Sequence, residues 1–103
     1  MAAHLGIKLI NRGEEGELLL KGRLDSVTSV EAAEYLDVAA NRFDHLILNM
    51  AELDYISSAG LRMLKHLHVK MQKKLGTMSV KNVNDNLMEV FEMTGFAGLF
   101  NFI

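Results

Sequence analysis

The chain has 103 residues, half of them apolar, which is sequence enough for one packed core and too little for two. A 23 % share of charged residues, 7 % aromatics and a formal net charge of −2 exclude disordered, collagen-like and strongly basic nucleic-acid-binding classes. Cysteine is absent, so disulfides, thiolate metal sites and a cysteine nucleophile are excluded as well, and the composition suits a reducing cytoplasm.

Charged residues interrupt every apolar run short of the ~20 residues that a membrane helix needs. The stretch from Met1 to Gly6 lacks the charged and long apolar regions of a secretion signal. No linker, repeat or low-complexity tract divides the chain, so one domain over 1–103 is expected, without cofactor or metal and without a membrane partner.

Leu5, Ile7 and Leu9 alternate with other residues, and 11–16 supplies turn chemistry before Leu18, Leu19 and Leu20, which predicts a hairpin. A second loop is expected from Gly22 to Ser26. Thr28 and Glu31 then have the spacing of a capping box, opening a helix with Val30, Ala33, Leu36 and Ala40 on its buried face. The apolar stretch from His45 to Met50 predicts a mid-sheet strand covered on both faces, followed by a loop over 51–56. The longest helix is expected over 58–75, with Leu61, Leu64, Leu67, Met71 and Leu75 on one stripe and Gly76 as its C-cap. A strand over 77–82 follows. Asn84 should cap a last helix that buries Leu87, Val90, Phe91 and Thr94 and stops at Gly95. The apolar remainder from Phe96 to Ile103 predicts a short strand or turn packed on the body. The order implies an α/β domain, with a mixed sheet of about four to five strands and three main helices covering it.

The segment from Asp54 to Leu61 sets two adjacent hydroxyls, Ser57 and Ser58, where a loop becomes the longest helix. Either serine could simply cap the helix. Alternatively, a phosphate on Ser58 would face free backbone N–H groups and the positive end of the helix dipole, so modification there need not disturb the interior. Asp25 and Asp54 precede helices on adjacent elements and could lie beside it. Nucleophilic catalysis, with one of His4, His45, His66 or His68 as base, has half a motif: Gly60 fits a nucleophile elbow, whereas Ile56 stands where it needs a second glycine. His66 and His68 point about 200° apart on a helix and cannot share one metal. From Tyr55 to Asn84 there is no acidic residue and the segment carries +6, against −8 for the rest. Without aromatic residues interleaved among those bases, a solvated face is expected rather than a nucleic-acid site.

Four segments, Leu20–Asp25, Leu46–Met50, Tyr55–Leu61 and Met93–Phe96, in this order and spacing, resemble those of a STAS domain of the bacterial anti-sigma factor antagonist type, over nearly the whole chain. The resemblance implies a non-enzymatic regulator of transcription. Its unphosphorylated form binds an anti-sigma factor that is also a serine kinase of histidine-kinase-like ATPase fold, and a serine phosphatase resets the modified form. Ser58 matches the phosphorylated serine of that family, and Asp25 the acidic residue beside it. The implied docking set is Asp25, Asp54, Ser57, Ser58, Ala59, Gly60 and Arg62. Two positions depart from many members: Ser57 replaces an Asp and becomes a possible decoy site, and Asn49 replaces an Asp in the central strand. The final helix of longer members is not present before Ile103, so a smaller packing surface, or a dimer contact through Phe96, Phe100 and Phe102, is expected in a monomer or weak homodimer. A structural or ligand-sensing STAS subunit of a transport or stress complex is the alternative.

Overall fold

The computed structural model describes residues 4–103; residues 1–3, which begin the stretch read for a secretion signal, lie outside the described residues. Strands β1 (Leu5–Arg12) and β2 (Glu15–Leu24) form the expected hairpin. It is followed by α1 (Thr28–Arg42), β3 (His45–Ile56), α2 (Ser58–Lys73), β4 (Thr77–Lys81), α3 (Asp85–Met93) and β5 (Asn101–Phe102). The sheet order is β1-β2-β3-β4-β5, with β1 antiparallel to β2 and every later pair parallel.

Each parallel step moves one place in the same direction, and crossovers of this kind are right-handed, so successive helices return over the same face. The register agrees. Leu18, Leu20, Leu46, Leu48, Met78 and Val80 share the helix side and are buried, whereas Ile10, Leu19 and Ile47 alternate with them and stay half-exposed outside the core cluster. The expectation that β3 is covered on both faces is therefore corrected: it is central, and covered on one.

The loop expected over 51–56 is also corrected, because β3 runs on to Ile56. Two register shifts against β2 each insert an extra β3 residue. The buried positions consequently follow Met50, Leu53 and Ile56 at intervals of three, and the period-two signal of a strand is lost. The loop expected from Gly22 begins only after Leu24.

Helix starts and stops follow residues other than some of those expected. The capping box of α1 is built by Asp25 and Thr28, not Thr28 and Glu31. The Asp25 carboxylate accepts from the backbone N–H groups of Val27 (2.9 Å) and Thr28 (3.0 Å), and the Thr28 hydroxyl accepts from the Asp25 N–H (2.9 Å). The helix still begins at Thr28, and the face it buries carries Ala32, Leu36, Ala39 and Ala40, while Val30 is exposed and Ala33 half-buried. Asn84 caps α3 as expected, accepting from Leu87 N–H at 2.8 Å, and Gly95 follows with φ +80°. Thr94 is exposed rather than buried; its hydroxyl donates to the Val90 carbonyl at 2.6 Å.

At the end of α2, Leu75 is 93 % exposed and takes the left-handed conformation, φ +62°. The N–H groups of Leu75 and Gly76 donate back to the carbonyls of Gln72 and Met71, a Schellman arrangement. Gly76 is needed there for space: a Cβ would lie 2.4 Å from the Asp44 carbonyl oxygen.

The C-terminal aromatics pack within the chain. Phe100 is buried and makes edge contacts with Phe91, Phe102 and His68, and it stacks on Phe96. Two of the three residues expected to make a dimer contact, Phe96 and Phe102, are thus half-buried in that cluster, and the third is buried.

The open sheet face holds a polar cluster that sequence patterning missed. Glu17 is buried and receives hydrogen bonds from Arg12, from Asn49 Nδ2 (3.0 Å) and from Lys81 Nζ (3.2 Å). These partners hold its carboxyl at about 2, the Arg12 bond contributing most, against the opposing effect of burial. Asn49 Oδ1 in turn accepts from Ala51 N–H and Asn82 Nδ2, each at 3.0 Å. An amide is therefore the group that fits position 49, because an aspartate would place a second carboxylate against Glu17.

Asn49→Asp should lower stability by about 2 kcal/mol at neutral pH through a lost charged hydrogen bond and like-charge contact. Glu17 itself contributes stability above its ordinary pKa of 4.5, and that contribution disappears as pH falls toward 2. The deficit of the variant should therefore shrink in acid, and denaturant titrations giving a pH-independent deficit would contradict this. Leu75→Gly should raise stability by about 1 kcal/mol by relieving the left-handed backbone, read as a higher urea midpoint at unchanged slope.

Candidate docking site at the start of the second helix

Parallel pairing of Leu24 with Ile56 brings the ends of β2 and β3 together, so the residues that follow, Asp25 and Ser57, leave the sheet side by side. The Ser57 N–H donates to the Leu24 carbonyl at 2.9 Å, which fixes the entry to α2. Close packing then demands Gly60: a Cβ there would lie 2.8 Å from the Leu24 carbonyl oxygen and 2.9 Å from Ile56 Cγ1.

The two serines divide the available roles. Ser57 is the N-cap, with extended backbone, and its hydroxyl accepts from the Gly60 N–H at 3.2 Å while its carbonyl accepts from Leu61 N–H at 2.9 Å. Ser58 is the first helical residue, exposed to solvent, and its hydroxyl is not used in the cap. No acidic residue occupies the first turn of α2, so the positive end of the helix is not already neutralised there.

Asp25 belongs to this corner but is committed to capping α1. The hydrogen bond from the Thr28 backbone, opposed by burial and helped further by the Val27 backbone, the Thr28 hydroxyl and Arg23, lowers its pKa. Its second oxygen lies 3.7 Å from Arg23 Nε, and the Arg23 guanidinium rests 4.2 Å above the Tyr55 ring. The Arg23–Tyr55 pair, neighbours in register, was not singled out by sequence; only the strand extension that the bulges conceal would have placed them together.

Arg62 is exposed and free of ion pairs among the described residues. With Ala59, Met63 and His66 it faces Val30 and Ser29 of α1 across a shallow groove of about 440 Å³. Asp54 is exposed as the extra residue of the second β3 bulge, with no hydrogen bond or ion pair among the described residues. The corner thus assembles Asp25, Ser57, Ser58, Ala59, Gly60 and Arg62, and nothing binds Asp54 into it. Among the described residues, no histidine is hydrogen-bonded to either serine, so the geometry of an activated nucleophile is not assembled.

The +6 segment is partly spent on structure. Lys70 pairs with Asp37 at 3.5 Å, Lys81 with Glu17, and Lys74 Nζ donates to the carbonyls of Ala40 (2.8 Å) and Phe43 (2.9 Å).

Residues 11–103 match the STAS domain family model, and the chain belongs to that family. Among named relatives, BtrV of Bordetella bronchiseptica, which carries the provisional name of anti-sigma factor antagonist, is 33 % identical over 70 residues. That match covers 68 % of this chain and 58 % of BtrV, less than two thirds of its length. The anti-sigma F factor antagonist of Paenibacillus polymyxa is 27 % identical over 97 residues, covering 92 % of this chain and 76 % of that protein.

Solved structures show the same fold at low identity. An anti-sigma factor antagonist from Mycobacterium paratuberculosis superposes with a TM-score of 0.85 at 17 % identity, over 96 % of this chain and 85 % of the other. The antagonist SpoIIAA in its unphosphorylated form gives 0.79 at 17 % identity, over 97 % and 88 %. A sulfate transporter family protein from Wolinella succinogenes gives 0.76 at 17 % identity, over 89 % and 75 %.

Because the cap and the exposed hydroxyl are separate residues, their substitutions should separate as well. Ser57→Ala should cost about 1 kcal/mol, whereas Ser58→Ala should stay within about 0.5 kcal/mol of the parent. Gly60→Ala should cost about 2 kcal/mol by overpacking against Leu24. Chemical denaturation of the three variants checks the order, and a Ser58→Ala loss as large as that of Ser57→Ala would contradict it.

Proposed function

We propose that this chain is an anti-sigma factor antagonist, a non-enzymatic module that docks on a kinase-type anti-sigma factor and is released when that kinase phosphorylates Ser58. The single observation that carries the reading is the exposed Ser58 hydroxyl at the first helical position, left free because Ser57 makes the cap. A phosphate there brings roughly −1.5 to −2 charge and strong acceptor oxygens. It meets the unpaired N–H groups and positive dipole end of α2 without entering the core. The docking surface consists of the corner around Asp25, Ser57, Ser58, Ala59, Gly60 and Arg62, with Asp54 at its margin.

Names of the relatives support the anti-sigma partner, and a serine phosphatase completes the cycle by removing the phosphate. Ser57 is a poor second substrate on this reading, since its hydroxyl is engaged by Gly60 and half-buried. The setting is the cytoplasm, where such partners and ATP are found; no helix among the described residues is long and apolar enough to cross a membrane.

The test is incubation with the candidate kinase and ATP, followed by mass spectrometry, alongside partner binding of two variants. Modification should map to Ser58. Ser58→Ala should bind the kinase regardless of ATP, and Ser58→Asp should bind at least about tenfold more weakly, a loss of ~1.4 kcal/mol. Equal affinity of the two variants, or phosphate on Ser57 with Ser58 untouched, would sink the mechanism.

A further inference from the structure

β1 is an outer strand of the sheet, and α1 packs against α2 and, within the sheet, on β2 and β3. The helix-side residues of β1, Leu5, Ile7 and Leu9, are consequently only half-buried. A trough of about 460 Å³ lies between them and α1, bounded by Leu9, Phe43, Tyr35 and Val38, and it runs on past Ile7 and Leu5 as a smaller hollow of about 230 Å³. Tyr35 is 44 % and Val38 61 % exposed. A wall and a floor of apolar side chains thus meet without a covering element among the described residues.

The charges at the two ends of the trough indicate what covers it. Glu31, Tyr35, Val38 and Arg42 follow one another at spacings of four, three and four, so they form one stripe along the flank of α1. Glu31, with Glu34 a turn on, stands toward the N-terminal end and Arg42 at the other, its guanidinium 5.1 Å from the Phe43 ring centroid, and none of the three makes an ion pair among the described residues. A uniformly basic or acidic segment would satisfy one end and repel the other. An antiparallel copy of the same stripe satisfies both.

The positions support a two-fold arrangement. Glu31 and Arg42 are equally distant in sequence from the midpoint between Leu36 and Asp37, and so are Tyr35 and Val38. One symmetry centre therefore sets Glu31 opposite Arg42 of the second copy and Tyr35 opposite its Val38, and both pairs occur twice, as a closed isologous contact requires. Antiparallel packing also aligns the two helix dipoles favourably.

We propose that the α1–β1 trough is a homodimer surface, closed by a second copy of this chain with its α1 antiparallel to the first. Val30 and Ala33, which line the groove toward Ser58, lie on the opposite flank of α1, so the dimer leaves the α2 corner free. The surface is independent of the phosphorylation reading.

Sedimentation equilibrium of the full chain across micromolar to millimolar concentrations tests it, with circular dichroism to confirm that each variant is folded. The parent should approach a dimer, and Val38→Glu should remain monomeric. Glu31→Arg and Arg42→Glu should each weaken association by about tenfold, and the double variant should recover most of that loss because the opposed charges exchange places. A parent that stays monomeric overturns the proposal. So does a dimer indifferent to Val38→Glu, or a double variant as weak as the worse single one.

Discussion

The contact on which the proposed docking corner depends is the pairing of Leu24 with Ile56 and the pressing of Gly60 against both. Parallel strands end in register, so their following turns emerge together and start two helices at one edge of the sheet. Helix starts present unpaired N–H groups, and two of them side by side form a surface suited to an added negative charge. The first is filled from within the chain by the Asp25 carboxylate. The second is capped by a neutral hydroxyl, and the residue after it is left open to solvent.

That division explains how a chemical change at the corner could leave the body undisturbed. The core beneath is rich in leucine, with Leu18, Leu20, Leu46, Leu48, Leu61 and Leu64 almost wholly buried beside Phe43, Met50 and Phe91. The cap that holds α2 in place uses Ser57, the packing that seats it uses Gly60, and neither interaction includes the Ser58 oxygen. On the opposite face of the sheet, Glu17 ties β1, β3 and β4 together through Arg12, Asn49 and Lys81. The domain is thus clamped on both faces, by apolar burial on one and, on the other, by partly exposed Arg12 and Lys81 closing over the buried Glu17 carboxylate.

Much of this was legible in the sequence. The hairpin, the central position of β3, the α2 stripe from Leu61 to Met71 and the Asn84 cap all follow from periodicity and capping chemistry. The second half of β3 was hidden because two bulges shift its buried residues to intervals of three. The start of α1 at Thr28 was legible, but its cap was misassigned, because Asp25 with Thr28 makes a reciprocal cap that the more familiar Thr–Glu spacing conceals. At the site, the motif located both serines, but only the observed hydrogen bond to Gly60 distinguishes the capping oxygen from the free one. The Glu17 cluster could not be read locally, since its members come from four separated segments joined only by strand register.

The measurement closest to the central claim is an amide NMR comparison of the chain with and without phosphate on Ser58. Shifts should be confined to residues around 57–62 and to Asp25 with its turn, while the amides of Leu18, Leu48 and Val80 keep their positions and the unfolding midpoint is unchanged. Changes spreading through those core strands, or a lower midpoint, would show that the modification acts by disturbing the fold.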